Sequence, residues 1–328
     1  MKKLFRFVGY SLLVIALLIA GLLTYIRIAL PRLGAAPLLS VDRSAQRVER
    51  GRYLANNVSV CMVCHSARDK SKFAEPLVEG SLGKGGERFD QTDGFPGIFY
   101  SKNITPAGIG RYTDGELFRV ITTGVSKEGR AMFPVMPYHY YGQMDPEDIR
   151  CIIAYLRTLH PIENEVPASV ADFPMNFILN TIPEKADPHP LPRPSDTLAY
   201  GAYMTMASAC IECHTPVKRG QIITSLAFSG GREFLFPDGT RVHSANLTPD
   251  TATGIGSWTQ ERFINRFKLY ADSNYILPAA HPGSFKTFMP WTQYAQMKKE
   301  DLAAIYTYLR QVPPVKNAIE KFIPFARN

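Results

Sequence analysis

Apolar side chains fill the chain from Phe7 to Ile26, broken only by Gly, Ser, Thr and Tyr. About 20 such residues suffice to cross a bilayer as a helix. Lys2, Lys3 and Arg6 precede the run and no Ala-x-Ala site follows it. The pattern therefore predicts a membrane anchor over residues 1–30, retained rather than removed as a signal peptide. The leading cations favour a cytoplasmic N-terminus, a signal weakened by Arg27, Arg32, Arg43 and Arg47 on the other flank.

Beyond residue 30 the apolar positions fall into helical spacing. Ile149, Ile152, Ile153, Leu156 and Leu159 follow Asp145-Pro146-Glu147-Asp148, an N-cap, a first-turn proline and early acidic residues in helix-start order. Leu302, Ile305, Tyr306 and Leu309 show the same spacing. Thr113 and Thr259, each after an aromatic residue, predict the start of a middle helix. Segments 85–100 and 230–244 are rich in Gly and aromatics and predict short hairpins or loops, with turns at Phe95-Pro96-Gly97 and Pro237-Asp238-Gly239.

These elements recur in order. GRYLANNVSVCMVCH at 51–65 answers GAYMTMASACIECH at 201–214. Asn103-Ile104-Thr105-Pro106 with Gly108-Ile109-Gly110 answers Asn246-Leu247-Thr248-Pro249 with Gly254-Ile255-Gly256. MPYHYYGQMDPEDIRCIIAYLR from Met136 answers MPWTQYAQMKKEDLAAIYTYLR from Met289. Three blocks repeated in one order predict a duplicated domain, one copy at 44–160 and the other at 196–312. The stretch between them, 161–195, is proline-rich and predicts a stiffened linker. A tail at 313–328 carries Ile319, Phe322, Ile323 and Phe325 and is expected to pack against a domain.

Composition changes this picture little. Lys and Arg outnumber Asp and Glu by 37 to 29, a formal net charge of +8. The cations are scattered among acidic residues rather than blocked together, which speaks against nucleic-acid binding. It leaves a solvated basic surface or a docking face for an acidic redox partner.

The chemistry lies in two C-x-x-C-H motifs, Cys61-Met62-Val63-Cys64-His65 and Cys210-Ile211-Glu212-Cys213-His214. Two thiols one helical turn apart can add to the two vinyl groups of a haem, and the adjacent histidine then faces the iron. Half a zinc site or a redox dithiol fits less well. The two pairs lie far apart, each inside its own repeat, and no βαβ pattern surrounds them. The motifs therefore predict two covalently attached haem c groups on Cys61, Cys64, Cys210 and Cys213, with His65 and His214 as axial ligands. Met136 and Met289 occupy one place in the repeat, each followed by Pro. They are the expected sixth ligands, since a thioether is soft and favours ferrous iron. Met144 and Met297 also match but sit close to the last helix and read as packing residues. His139, His243 and His281 have no matching histidine in the other copy. Cys151, opposite Ala304 in the repeat, reads as a buried small hydrophobe. The recurring aromatics Tyr141/Tyr294 and Tyr112/Trp258 are candidates to line the haem crevices.

Together these residues resemble the class I cytochrome c family, and more narrowly the multihaem cytochrome c subunits of bacterial membrane-bound alcohol, aldehyde and gluconate dehydrogenases. The resemblance rests on the C-x-x-C-H pairs, the N-[IL]-T-P…G-I-G-x-[WY]-T block and Met-Pro-[YW], over nearly all of residues 45–312. It implies a mainly α fold of two tandem class I cytochrome c domains with short hairpins, after one transmembrane helix. The larger members carry three haem motifs, and this chain has two. The expected role is electron transfer at the periplasmic face of the bacterial cytoplasmic membrane, where haem is attached. A periplasmic dehydrogenase would be donor, and another cytochrome, an oxidase or a quinone system acceptor. The competing expectation is a haem enzyme such as a dihaem peroxidase or sulfur-compound oxidase, which would need an open or displaceable iron position. Two Met-Pro sites oppose that.

Overall fold

In the computed structural model, which describes residues 1–218 and 220–325, the chain is mostly helical; the last three residues of the expected tail lie outside the described residues. Helix α1 (Lys2–Ala29) is followed by α2 (Ala45–Tyr53), a π turn (Leu54–Val58) and α3 (Cys61–His65). Strands β1 (Arg88–Phe89) and β2 (Gly97–Tyr100) precede α4 (Pro106–Ile109), α5 (Asp114–Thr123), α6 (Tyr138–Tyr141) and α7 (Pro146–Leu156). Strand β3 (Val170–Ala171) and α8 (Met175–Ile178) lead to α9 (Thr197–Ala207) and α10 (Cys210–Cys213). Strands β4 (Val217–Lys218), β5 (Gln221–Ile222), β6 (Glu233–Leu235) and β7 (Arg241–His243) come next. The chain closes with α11 (Gln260–Lys268), α12 (Trp291–Tyr294), α13 (Lys299–Leu309) and β8 (Phe322–Ile323).

Helix α1 has no buried residue. At 1.5 Å per residue its apolar run measures about 30 Å, the thickness of a bilayer's hydrocarbon core. The next helices form two crossed pairs, α2 on α7 and α9 on α13. Gly51 and Gly201 mark the crossings. A Cβ at Gly51 would lie 1.8 Å from the Cys151 carbonyl oxygen, and one at Gly201 2.0 Å from that of Ala304. The repeat keeps glycine there because any side chain would wedge the helices apart. Ile149, Ile152, Ile153, Leu302, Ile305 and Leu309 are all buried in one apolar cluster that runs through both halves, each worth roughly 1.5–3 kcal/mol.

The expected caps are present. Thr113 accepts from the Glu116 amide and Glu116 answers to the Thr113 amide; Thr259 accepts from the Arg262 amide. Asp145 caps α7 through the Glu147 amide, whereas Lys298, its counterpart, offers α13 no side-chain cap. The first C-x-x-C-H block is one residue longer than the second between its leading glycine and first cysteine. That extra residue is taken up by the π turn, while α9 runs on as a regular helix.

Two features differ from expectation. In the first hairpin the turn lies at 90–94, where Asp90 caps a short 3-10 turn and Gly94 takes φ 84°. Phe95-Pro96-Gly97 instead leads into β2, the Pro96 carbonyl accepting from the Asp172 amide. The second hairpin turns at Pro237-Asp238-Gly239 as read from the sequence, with the Gly239 amide donating to the Phe236 carbonyl. The proline-rich stretch is also not a mere connection, whereas the tail packs on the second half as expected. Val170–Ala171 adds β3 to β2, and Phe322–Ile323 adds β8 to β7, so each half holds a three-stranded antiparallel sheet of the same order.

Candidate functional site

Each C-x-x-C-H motif enters through a residue in the left-handed region, Val60 at φ 43° and Ala209 at φ 48°. The strained entry turns the chain sharply into the short helix carrying the cysteines. It is held from outside by the helix after the Met-Pro pair. The Tyr141 hydroxyl donates to the Ser59 carbonyl and the Tyr294 hydroxyl to that of Ser208, both at 2.9 Å. Met136 and Met289, which open those helices, pack against the same core as Cys61 and Cys210. Met144 and Met297 are fully buried within it.

The histidines are oriented alike. His65 Nδ1 lies 2.6 Å from the Lys102 carbonyl oxygen, and His214 Nδ1 lies 2.8 Å from that of Ala245. A carbonyl can only accept, so Nδ1 carries the proton and Nε2 is left with its lone pair free. Burial lowers the pKa of both imidazoles, favouring the neutral form that can ligate a metal.

The Asn-x-Thr-Pro block is what fixes those carbonyls. Asn103 Oδ1 accepts from the Thr105 amide and hydroxyl, while its Nδ2 donates to the Ile162 carbonyl. Asn246 does the same with Thr248 and Val315. Asn164 and Asn317 reinforce this by donating to Lys84 and Ser229 carbonyls. A buried turn is thus locked to the chain beyond the last helix, and the residue before each asparagine presents its carbonyl to the histidine.

The five cysteines form no disulfide. Apolar surroundings push the Cys61 and Cys210 thiols up to about 12, which suits neutral thiols and not a thiolate metal site. Among the described residues no three His, Cys, Asp or Glu side chains gather to hold a metal ion. Free paired thiols beside a neutral imidazole with Nε2 available fit covalent haem. Cys151 is buried under Gly51 at the α2–α7 crossing.

Charge around the two motifs is inverted. Glu87, against the first motif, pairs with Arg68 at 2.6 Å. Its repeat counterpart is Arg232, which pairs with Glu212 inside the second motif at 3.5 Å. Burial raises the Glu212 pKa, but hydrogen bonds from His139 and Tyr140 outweigh it and leave the carboxylate below its usual range.

The two motifs also touch each other's surroundings. The Tyr140 hydroxyl, four residues past Met136, donates to Glu212 at 2.8 Å. Asn57 Nδ2, four residues before Cys61, donates to the carbonyl of Gln293, four past Met289. Tyr53 donates to Asp301 at 2.5 Å and Tyr203 to Asp148 at 2.7 Å, so each half's first helix reaches the other half's last. Those tyrosines and aspartates match across the repeat, so their recurrence was a readable signal. Pairing across halves was not.

His139 is exposed, 3.3 Å from Glu212, and His243 Nδ1 bonds the Glu320 carbonyl. His281 is exposed in the second-half insertion. That insertion lies over the first half, with the Phe73 amide donating to the Pro278 carbonyl and Phe73 packed on Phe285.

Residues 198–313 match the family model for cytochrome c. The chain carries a cytochrome c domain. It is 28% identical over 299 residues to the cytochrome c subunit of a quinone alcohol dehydrogenase from Gluconacetobacter polyoxogenes, covering 86% of this chain and 59% of that protein. It is 26% identical to a gluconate 2-dehydrogenase cytochrome c subunit from Pantoea cypripedii, covering 87% and 64%. A fructose dehydrogenase cytochrome subunit from Gluconobacter japonicus is 28% identical, covering 95% and 60%. The chain thus spans less than two thirds of each of these relatives.

Proposed function

We propose that this cytochrome is a dihaem electron carrier anchored by α1, with both haem sites in the periplasm and one in each of two tandem domains. The observation that carries the reading is the twofold recurrence of a C-x-x-C-H histidine whose Nδ1 is tied to a backbone carbonyl. Cys61 and Cys64 would hold one haem c and Cys210 and Cys213 the other. His65 with Met136, and His214 with Met289, would supply the axial ligands. When bound, haem c supplies a centre that takes up and releases one electron at a time.

The protein's part is to hold ligands still and keep water out. The carbonyls of Lys102 and Ala245 orient the imidazoles, and Tyr141 and Tyr294 tie each methionine loop to its cysteine loop. The Tyr140–Glu212 and Asn57–Gln293 bonds bring each methionine loop against the other half's cysteine region, a route for transfer between the haems. The dehydrogenase names of the relatives support a dehydrogenase as donor; another cytochrome, an oxidase or a quinone system would accept.

Spectra of the purified protein test this. The expected result is low-spin signals from both haems, a methionine–iron charge-transfer band in the far red and no cyanide binding at rest. A high-spin haem that binds cyanide or turns over peroxide would contradict the carrier.

A further inference from the structure

Beyond β3 the chain runs back to the anchor helix. After Ala171 come α8 and a 3-10 turn at Leu179–Thr181, and both pack on α1. Asn180 Nδ2 donates to the Ile26 carbonyl at 3.4 Å. Ile26 ends the apolar run of α1. If that run fills the hydrocarbon of a bilayer, its last carbonyl marks the boundary with the headgroups. The segment tied to it then lies at the same depth.

Its side chains suit that depth. Phe173 is 78% exposed, Val170 62% and Ile178 44%, so three large apolar side chains face outward within nine residues. Phe173 meets Phe177 edge-on at 6.3 Å between ring centroids. At the same end of α1, the Arg32 guanidinium lies over the Tyr25 ring, 5.8 Å from its centroid. Tyrosine and arginine are characteristic of the level where hydrocarbon gives way to headgroups. Leaving a phenylalanine in water forgoes the gain that burial among acyl chains would recover.

We propose that residues 170–180 form a second membrane contact, with Phe173 and Ile178 inserted among the headgroups and upper acyl chains of the leaflet where α1 ends. This rests on the reading of α1 as an anchor. Because β3 pairs with β2, the contact would set the orientation of the first haem site against the membrane, which a single spanning helix leaves free.

The test uses the full, haem-loaded chain in phospholipid vesicles, in a Cys151→Ala background. Bimane is placed on single cysteines at Leu17→Cys, Phe173→Cys or Glu261→Cys. Emission is compared between ordinary lipids and lipids brominated near the headgroup or near the chain end. The label at 17 should lose most emission to deep bromines, the label at 173 to shallow bromines, and the label at 261 to neither. Quenching at 17 with none at 173 overturns the second contact and leaves the anchor standing. No quenching at 17 overturns the anchor and the second contact with it.

Discussion

At the scale of single residues, the proposed haem sites depend on groups outside the ligand set. His65 and His214 are oriented by carbonyls, which no substitution can remove, but the asparagines that hold those carbonyls can be changed. Asn103→Ala takes away a buried acceptor shared by the Thr105 amide and hydroxyl, and a donor to Ile162. It should cost about 1–3 kcal/mol, read by denaturant unfolding. It should also shift the first haem's potential, while Asn103→Asp, which keeps the acceptor, should retain more of both. The proposed ligands Met136 and Met289 make a sharper prediction. Met136→Leu and Met289→Leu should each remove about half of the far-red methionine–iron band and lower the potential of one haem. An unchanged spectrum would strike that residue from the ligand set.

The helices and their crossings carry the stability of each half. Gly51→Ala forces a Cβ to within 1.8 Å of the Cys151 carbonyl and should destabilise by about 1–3 kcal/mol. Gly9→Ala in α1, where a Cβ meets nothing within 4 Å, should leave the unfolding of the two helical halves unchanged. Both are read by thermal or denaturant melts. The tyrosine–aspartate bonds between halves are unequal. Asp148 keeps a bidentate partner in Arg50 when Tyr203 is lost, whereas Asp301 would keep the neutral Tyr200 hydroxyl. Burial, reinforced by the Asp301 carboxylate, pushes the Tyr53 hydroxyl well above its ordinary range, so it remains a donor. Tyr53→Phe should therefore destabilise more than Tyr203→Phe, by a margin on the order of 1 kcal/mol. Equal losses would contradict this account. Helix starts were legible because Asp145, Thr113 and Thr259 act within a few residues of chain. The π turn was present only as a one-residue difference between repeats. The 90–94 turn was obscured because Asp90 capping acts where Pro96-Gly97 carries the louder sequence signal.

For the whole molecule, the sequence repeat was legible because it is a pattern along the chain. What joins the halves was not, since Tyr53–Asp301 and Tyr140–Glu212 link residues 248 and 72 positions apart. The insertion near His281, which belongs to the second half, packs on Phe73 of the first. The two proposed sites are thus built into one connected core rather than strung on a linker, as the proposed transfer between haems would require. The account stands on two haems per chain, one in each half. The intact mass of the purified protein tests that most directly. A mass equal to the 328-residue chain plus two haems is predicted, and a chain carrying a single haem would contradict it.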